Sequence, residues 1–145
     1  MIVLEQLKAR YARYEQEARK AVLNAKPTDG LFGMGADPRK HPCHDQFYQD
    51  VAEWADTFEK TAPSAQAAAD AVEWIIRAAD SHRDEETYWY MYAAQVHARL
   101  LIPLMAPDRC ASLVRWYDSA YPPIDRMPVQ KELFRLLRKC SKAKK

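Results

Sequence analysis

Apolar residues recur every three or four positions along most of this 145-residue chain, and that spacing restricts what it can fold into. Phe47, Val51, Trp54 and Phe58, for example, follow one another in steps of four, three and four. No stretch alternates apolar and polar residues for long enough to form a half-buried strand. The composition agrees, since Ala occurs 23 times whereas the β-branched Val and Ile together occur 12 times. The pattern therefore predicts helices.

Prolines and short polar connections divide the pattern into segments that end and restart. The prediction is an all-α fold, a single compact domain of five to six helices in an irregular antiparallel bundle. The helices are expected at about 2–25, 44–60, 65–80, 85–102, 107–120 and from 128 onward. Asp45 is the expected N-cap of the second helix. The fourth helix should be central, because its segment 88–94 is apolar nearly all round.

A long loop between helices 1 and 2 contains all three glycines of the chain, within residues 30–35. Apolar side chains alternate with these glycines, but the spacing matches neither a dinucleotide fingerprint nor a phosphate-binding loop. One hypothesis is that the apolar side chains pack onto the core. The other is a recognition surface for a partner, since long loops are often functional. Its binding residues would be Leu31, Phe32, Met34 and Arg39.

The segment His41-Pro42-Cys43-His44 is a second candidate site. Imidazole and thiolate are preferred zinc ligands, but a structural site needs four, and only three occur here within four residues. Cys43 could instead be a nucleophile, because histidines and a helix N-terminus lower the pKa of a thiol. The plainer hypothesis is a junction between loop and helix in which Cys43 packs. His97 is expected to be an interior or edge histidine.

No familiar catalytic motif accompanies these residues. The chain lacks His-Glu-x-x-His, Glu-x-x-His and Gly-x-Ser-x-Gly. These absences favour a protein that is not an enzyme, without deciding the question, and no cofactor is predicted.

The charge is unevenly distributed. Residues 131–145 carry seven Lys or Arg and one Glu, whereas the remaining 130 residues carry 15 basic and 19 acidic side chains. A basic C-terminal end can contact nucleic acid through its phosphates, but it also complements the dipole of the last helix. Residues 139–145 are expected to form a basic, frayed tail.

The predicted function is that of a cytoplasmic protein-binding or regulatory module that acts through a protein–protein interface. Three widely spaced cysteines, no leader-like N-terminus and no apolar run long enough for a membrane span favour a reducing cytoplasm. The expected partner is another protein or a second copy of the chain. Alternatives are a small enzyme or metal-binding protein using Cys43 with His41 and His44, and a nucleic-acid-associated protein acting through its basic end.

Overall fold

The structure is a computed structural model, which describes residues 2–23, 42–81, 92–120 and 128–143. These residues form helices and short connections, and no strand occurs among them. The α-helices are α1 (Leu4–Leu23), α2 (Pro42–Lys60), α3 (Ala65–Ser81), α4 (Tyr92–Leu101), α5 (Pro107–Ala120) and α6 (Pro128–Ser141), with a 3-10 turn at Ile102–Leu104. The predicted all-α fold is thereby confirmed.

The beginning of α2 differs from the prediction. The helix starts at Pro42, because proline is well suited to the first helical position, where its missing N–H costs no hydrogen bond. Asp45 consequently lies within the first turn and is not the N-cap. Its carboxylate still favours this end of the helix, whose dipole is positive.

The connection between α2 and α3 follows the expected chemistry of helix ends. Ala62 takes a left-handed backbone conformation, with φ 49°, and its N–H bonds back to the carbonyl of Glu59. Pro63 prevents the helix from continuing. Ser64 then caps α3, because its Oγ accepts a hydrogen bond of 3.1 Å from the N–H of Ala67.

The described part of the fourth helix begins at Tyr92, so its predicted first half, including the aromatic segment, lies outside the described residues. The α-helix ends at Leu101, one residue before the predicted end, and passes into the 3-10 turn that contains Pro103. Proline lacks the N–H that an α-helical bond would need. The N–H of Met105 closes the turn on the carbonyl of Ile102.

The chain divides into two compact units, Met1–Thr57 with Ala79–Ala93, and Phe58–Ala78 with Ala94–Lys145. In the first unit, α1 and the first part of α2 bury aromatic side chains against each other. The ring of Phe47 lies 5.1 Å from that of Tyr11 and 6.2 Å from that of Tyr14. Asp50 adds a polar link, because it accepts hydrogen bonds from Arg10 and Tyr14.

In the second unit, α3 and α5 are joined by charged side chains at their surface. Arg109 donates hydrogen bonds of 2.8 Å to Glu73 and 3.1 Å to Asp70, and the guanidinium of Arg77 lies over the ring of Trp116. The core beneath is apolar. Its fully or almost fully buried residues include Ala68, Ala71, Val72, Ile75, Ala98, Leu101, Ile102, Met105, Leu113 and Tyr117.

The helices α5 and α6 form an antiparallel pair within this unit. Cys110, near the start of α5, is joined by a disulfide to Cys140, near the end of α6, with 5.9 Å between the Cα atoms. Further along α5, Tyr117 meets Phe134 of α6 edge to face at 6.1 Å. The odd cysteine count had pointed away from a disulfide framework, yet two of the three cysteines are paired here.

Candidate functional site

The helix α6 is the most strongly amphipathic element that the structure describes. Its buried residues, Gln130, Leu133, Leu137 and Cys140, follow a spacing of three and four and face the second unit's core. Val129 is half-buried, and Gln130 occupies the inward position beside it. The opposite side carries the cations that made the C-terminal end basic.

Four of these cations, largely through their aliphatic stems, line an open depression of about 350 Å³. We call this surface the basic face, and it consists of Arg135, Arg138, Lys139 and Lys142 with Phe134 at its edge. The depression is open to solvent rather than enclosed, whereas small-molecule pockets bury most of their ligand. It therefore differs from an enclosed small-molecule pocket.

Phe134 is the apolar part of the basic face. It is half-buried, because Tyr117 packs edge-on against its ring and the guanidinium of Arg138 lies 5.8 Å from the ring centre. Both neighbours fix the position of the ring, while the rest of it borders the depression. Aromatic and Arg side chains of this kind are enriched at protein interfaces.

One cation of the basic face already holds a carboxylate. Arg135 donates two hydrogen bonds to the carboxylate of Glu132, one of 2.8 Å from Nη2 and one of 3.1 Å from Nε. This contact lowers the pKa of Glu132, with a further contribution from Arg99, and raises the pKa of Arg135. The pair shows that this surface can present a guanidinium to a carboxylate in the two-pronged geometry that such pairs favour.

The other three cations, Arg138, Lys139 and Lys142, are exposed and have no carboxylate partner within the described residues. Cations near a helix C-terminus also interact favourably with the helix dipole, which is a sufficient reason for their position. The dipole does not explain why they surround a depression with an aromatic edge. That combination makes the basic face the best candidate site in the described part of the chain.

Five residues that the sequence singled out lie outside the described residues: Leu31, Phe32, Met34, Arg39 and His41.

Cys43 and His44 belong to α2, but their side chains are not among those described. The hypotheses of a recognition loop and of a Cys43 site therefore stay predictions.

Metal binding has no support in the part of the chain that the structure describes. No group of three or more His, Cys, Asp or Glu residues there is placed to hold an ion. Cys110 and Cys140 are joined to each other in a disulfide, so neither offers a thiolate to a metal ion in this state. His97 is half-exposed, with Nδ1 3.7 Å from the carboxylate of Glu59, as befits a histidine at the edge of a core.

Sequence reasoning missed two features of this site. It recorded the positive charge of the C-terminal end, but not that Phe134 stands among the cations.

The pairing of Cys110 with Cys140, which lie on consecutive helices, was not predicted either. The sequence did contain a signal for this pairing. A short connection makes two consecutive helices antiparallel neighbours, so the start of the first lies beside the end of the second.

Comparison with known protein families, curated proteins and solved structures found no match for this chain. None of the described helices combines the length and the apolar character that crossing a membrane requires.

Proposed function

We propose that this protein is a helical binding module that docks an acidic segment of a partner protein on the basic face of α6. One observation carries the proposal. Phe134 stands at the edge of an open depression whose other lining residues are all cationic. A partner segment with carboxylates around an apolar side chain would complement both features.

The dimensions suit a short segment. From Arg135 to Lys142 the helix advances by about 10 Å, at roughly 1.5 Å per residue. An extended chain covers that distance in about three residues. Two or three acidic side chains and one apolar side chain would therefore be enough to occupy the basic face.

One observation favours a protein partner over nucleic acid. Leu100 and Leu104 are exposed by 56% and 42%, and the 3-10 turn that contains Leu104 packs against α6. An apolar neighbour suits a protein interface better than a phosphate backbone.

The test is binding of a synthetic peptide in which glutamates flank a single leucine, measured by fluorescence anisotropy at low salt. Lys139→Glu should weaken binding by roughly tenfold, because it removes one attraction and adds one repulsion. Lys131→Glu is the matched control, since Lys131 lies on the same helix but does not line the depression. It changes the net charge equally and should have a much smaller effect.

Two outcomes would contradict the proposal. Equal losses in the two variants would mean that the peptide senses net charge rather than the basic face. Binding of a single-stranded oligonucleotide, but not of the peptide, would identify a nucleic-acid partner instead. Replacing the leucine of the peptide by serine should also weaken binding, because Phe134 then loses its apolar contact.

A further inference from the structure

We infer that the Cys110–Cys140 disulfide is a redox-controlled clamp on the basic face, which orders the end of α6 when oxidised and releases it when reduced. This inference rests on the proposed function, because it concerns the regulation of the same site.

The position of the disulfide is the first step of the argument. The antiparallel pair of α5 and α6 is connected through residues 121–127 at one end and through the disulfide at the other. Cys140 is the last residue but one of α6. The covalent bond therefore holds the open end of the helix pair.

The turn that the disulfide holds carries three of the four cations of the basic face. Arg138 and Lys139 come directly before Cys140, and Lys142 follows two residues after it. Cys140 is also the last buried residue of α6, because Ser141 is only half-buried and residues 142–143 are exposed. The N–H groups of Lys142 and Ala143 close this turn on the carbonyls of Lys139 and Cys140, but such local bonds fray at helix ends. The disulfide from Cys140 is the covalent bond that ties the turn to α5.

The structure also provides a hydrogen-bond acceptor for Cys140 in its reduced, thiol form. The Sγ atom of Cys140 lies 3.4 Å from the carbonyl oxygen of Met105, so a Cys140 thiol could donate its proton there. Leu133, Leu137 and the contact between Tyr117 and Phe134 pack α6 on its neighbours without the bond. Reduction should therefore loosen the end of the helix without unfolding it.

The reaction is exchange with a dithiol reductant. A thiolate of the reductant attacks the Sγ atom of Cys140, because Cys140 is 8% exposed whereas Cys110 is fully buried. The Cys110–Cys140 bond breaks as a mixed disulfide forms at Cys140, and Cys110 leaves as a thiolate that takes up a proton. The second thiol of the reductant then displaces Cys140, which becomes a thiol. Two electrons and two protons pass to the protein, the reductant becomes a disulfide, and a disulfide oxidant reverses the steps.

The experiment compares the whole protein before and after treatment with dithiothreitol. Amide hydrogen exchange at residues 139–143 should be faster after reduction, while exchange in α5 changes little. Affinity for the glutamate–leucine peptide should fall by roughly tenfold, because ordering even one residue on binding costs about that factor.

Two variants serve as controls. Cys110→Ala should behave like the reduced protein whether or not dithiothreitol is present. Cys43→Ser removes the remaining cysteine and keeps the disulfide, so it should respond to dithiothreitol as the natural protein does. Circular dichroism checks that each variant keeps its helices.

The outcomes separate this inference from the proposed function. If peptide affinity and amide hydrogen exchange are the same in both redox states, the redox inference is wrong and the proposed function still holds. The same conclusion follows if dithiothreitol cannot reduce the disulfide in the folded protein. Faster exchange after reduction, with no peptide binding in either state, would overturn the proposed function and leave the bond without a site to regulate.

Discussion

The guanidinium of Arg109 lies 2.8 Å from the carboxylate of Glu73, and this contact joins α5 to α3. The two residues stand 36 positions apart in the chain. Arg77 donates a second hydrogen bond, of 3.0 Å, to the same carboxylate. Burial alone would raise the pKa of Glu73, but the hydrogen bonds from Arg109 and Arg77 outweigh it, and the pKa is lowered.

A lowered pKa makes this contact dependent on pH. The stabilisation should be fully present above the pKa of an unfolded Glu, about 4.5. It is lost as the pH falls through the lower pKa of the folded state. Glu73→Gln should therefore reduce the free energy of unfolding by up to about 1 kcal/mol at neutral pH, the size usual for a surface contact. The difference from the natural protein should disappear in acid.

Urea denaturation of both proteins across the acid range measures this difference. Glu5→Gln is a suitable control, because Glu5 is 81% exposed and its ion pair within the described residues is with the nearby Lys8. A loss that stays constant with pH would show that the charge of Glu73 is not what stabilises the contact.

In the first unit, the hydroxyl of Tyr14 donates a hydrogen bond of 2.9 Å to Asp50. Burial and this hydrogen bond raise the pKa of Tyr14. Tyr14→Phe should lower the free energy of unfolding by about 1–2 kcal/mol, because the ring still packs on Phe47 while a largely buried carboxylate loses one of its donors. Tyr48→Phe, at a position that is 59% exposed, should change stability little. Chemical denaturation measures both, and equal effects would contradict this role for Asp50.

Alanine variants at the adjacent positions Leu136 and Leu137 test how α6 is rotated against its neighbours, because only one of the two leucines should contribute strongly to stability. Leu137 is fully buried and Leu136 only half-buried. Leu137→Ala should cost about 2–5 kcal/mol of the free energy of unfolding, as large-to-small changes in cores do. Leu136→Ala should cost clearly less, as thermal or urea unfolding would show. The opposite order would mean that α6 is rotated from the orientation described.

The glycine-containing loop has its own test. Changing Phe32 and Met34 together to serine should leave folding nearly intact and abolish binding of a partner, if the loop is a recognition surface. The free energy of unfolding and pull-down from the native source measure the two effects. A double variant that unfolds would show that these side chains belong to the core.

Binding to the glutamate–leucine peptide separates this loop from the basic face. The double variant should bind the peptide as the natural protein does, because the proposed docking site lies on α6. A loss of peptide binding with stability unchanged would assign the acidic partner to the loop instead.

The sequence by itself determined the all-α class, most helix boundaries and the basic C-terminal end. These features are local: a spacing of three and four selects a helix, and Pro107 and Pro128 mark the first residues of α5 and α6. The same spacing relates Leu133, Leu137 and Cys140, which are buried in the structure.

Only the tertiary structure decided which residues far apart in the chain meet. The rotation of α6 against its neighbours decides that Leu137 rather than Leu136 is buried and that Gln130 faces inward. It also decides that Cys140 meets Cys110. Periodicity fixes which side chains of a helix share a face. It does not fix the rotation of the helix about its own axis, because a small rotation still buries most of the apolar face. Packing against α5 removes that freedom and sets Tyr117 against Phe134.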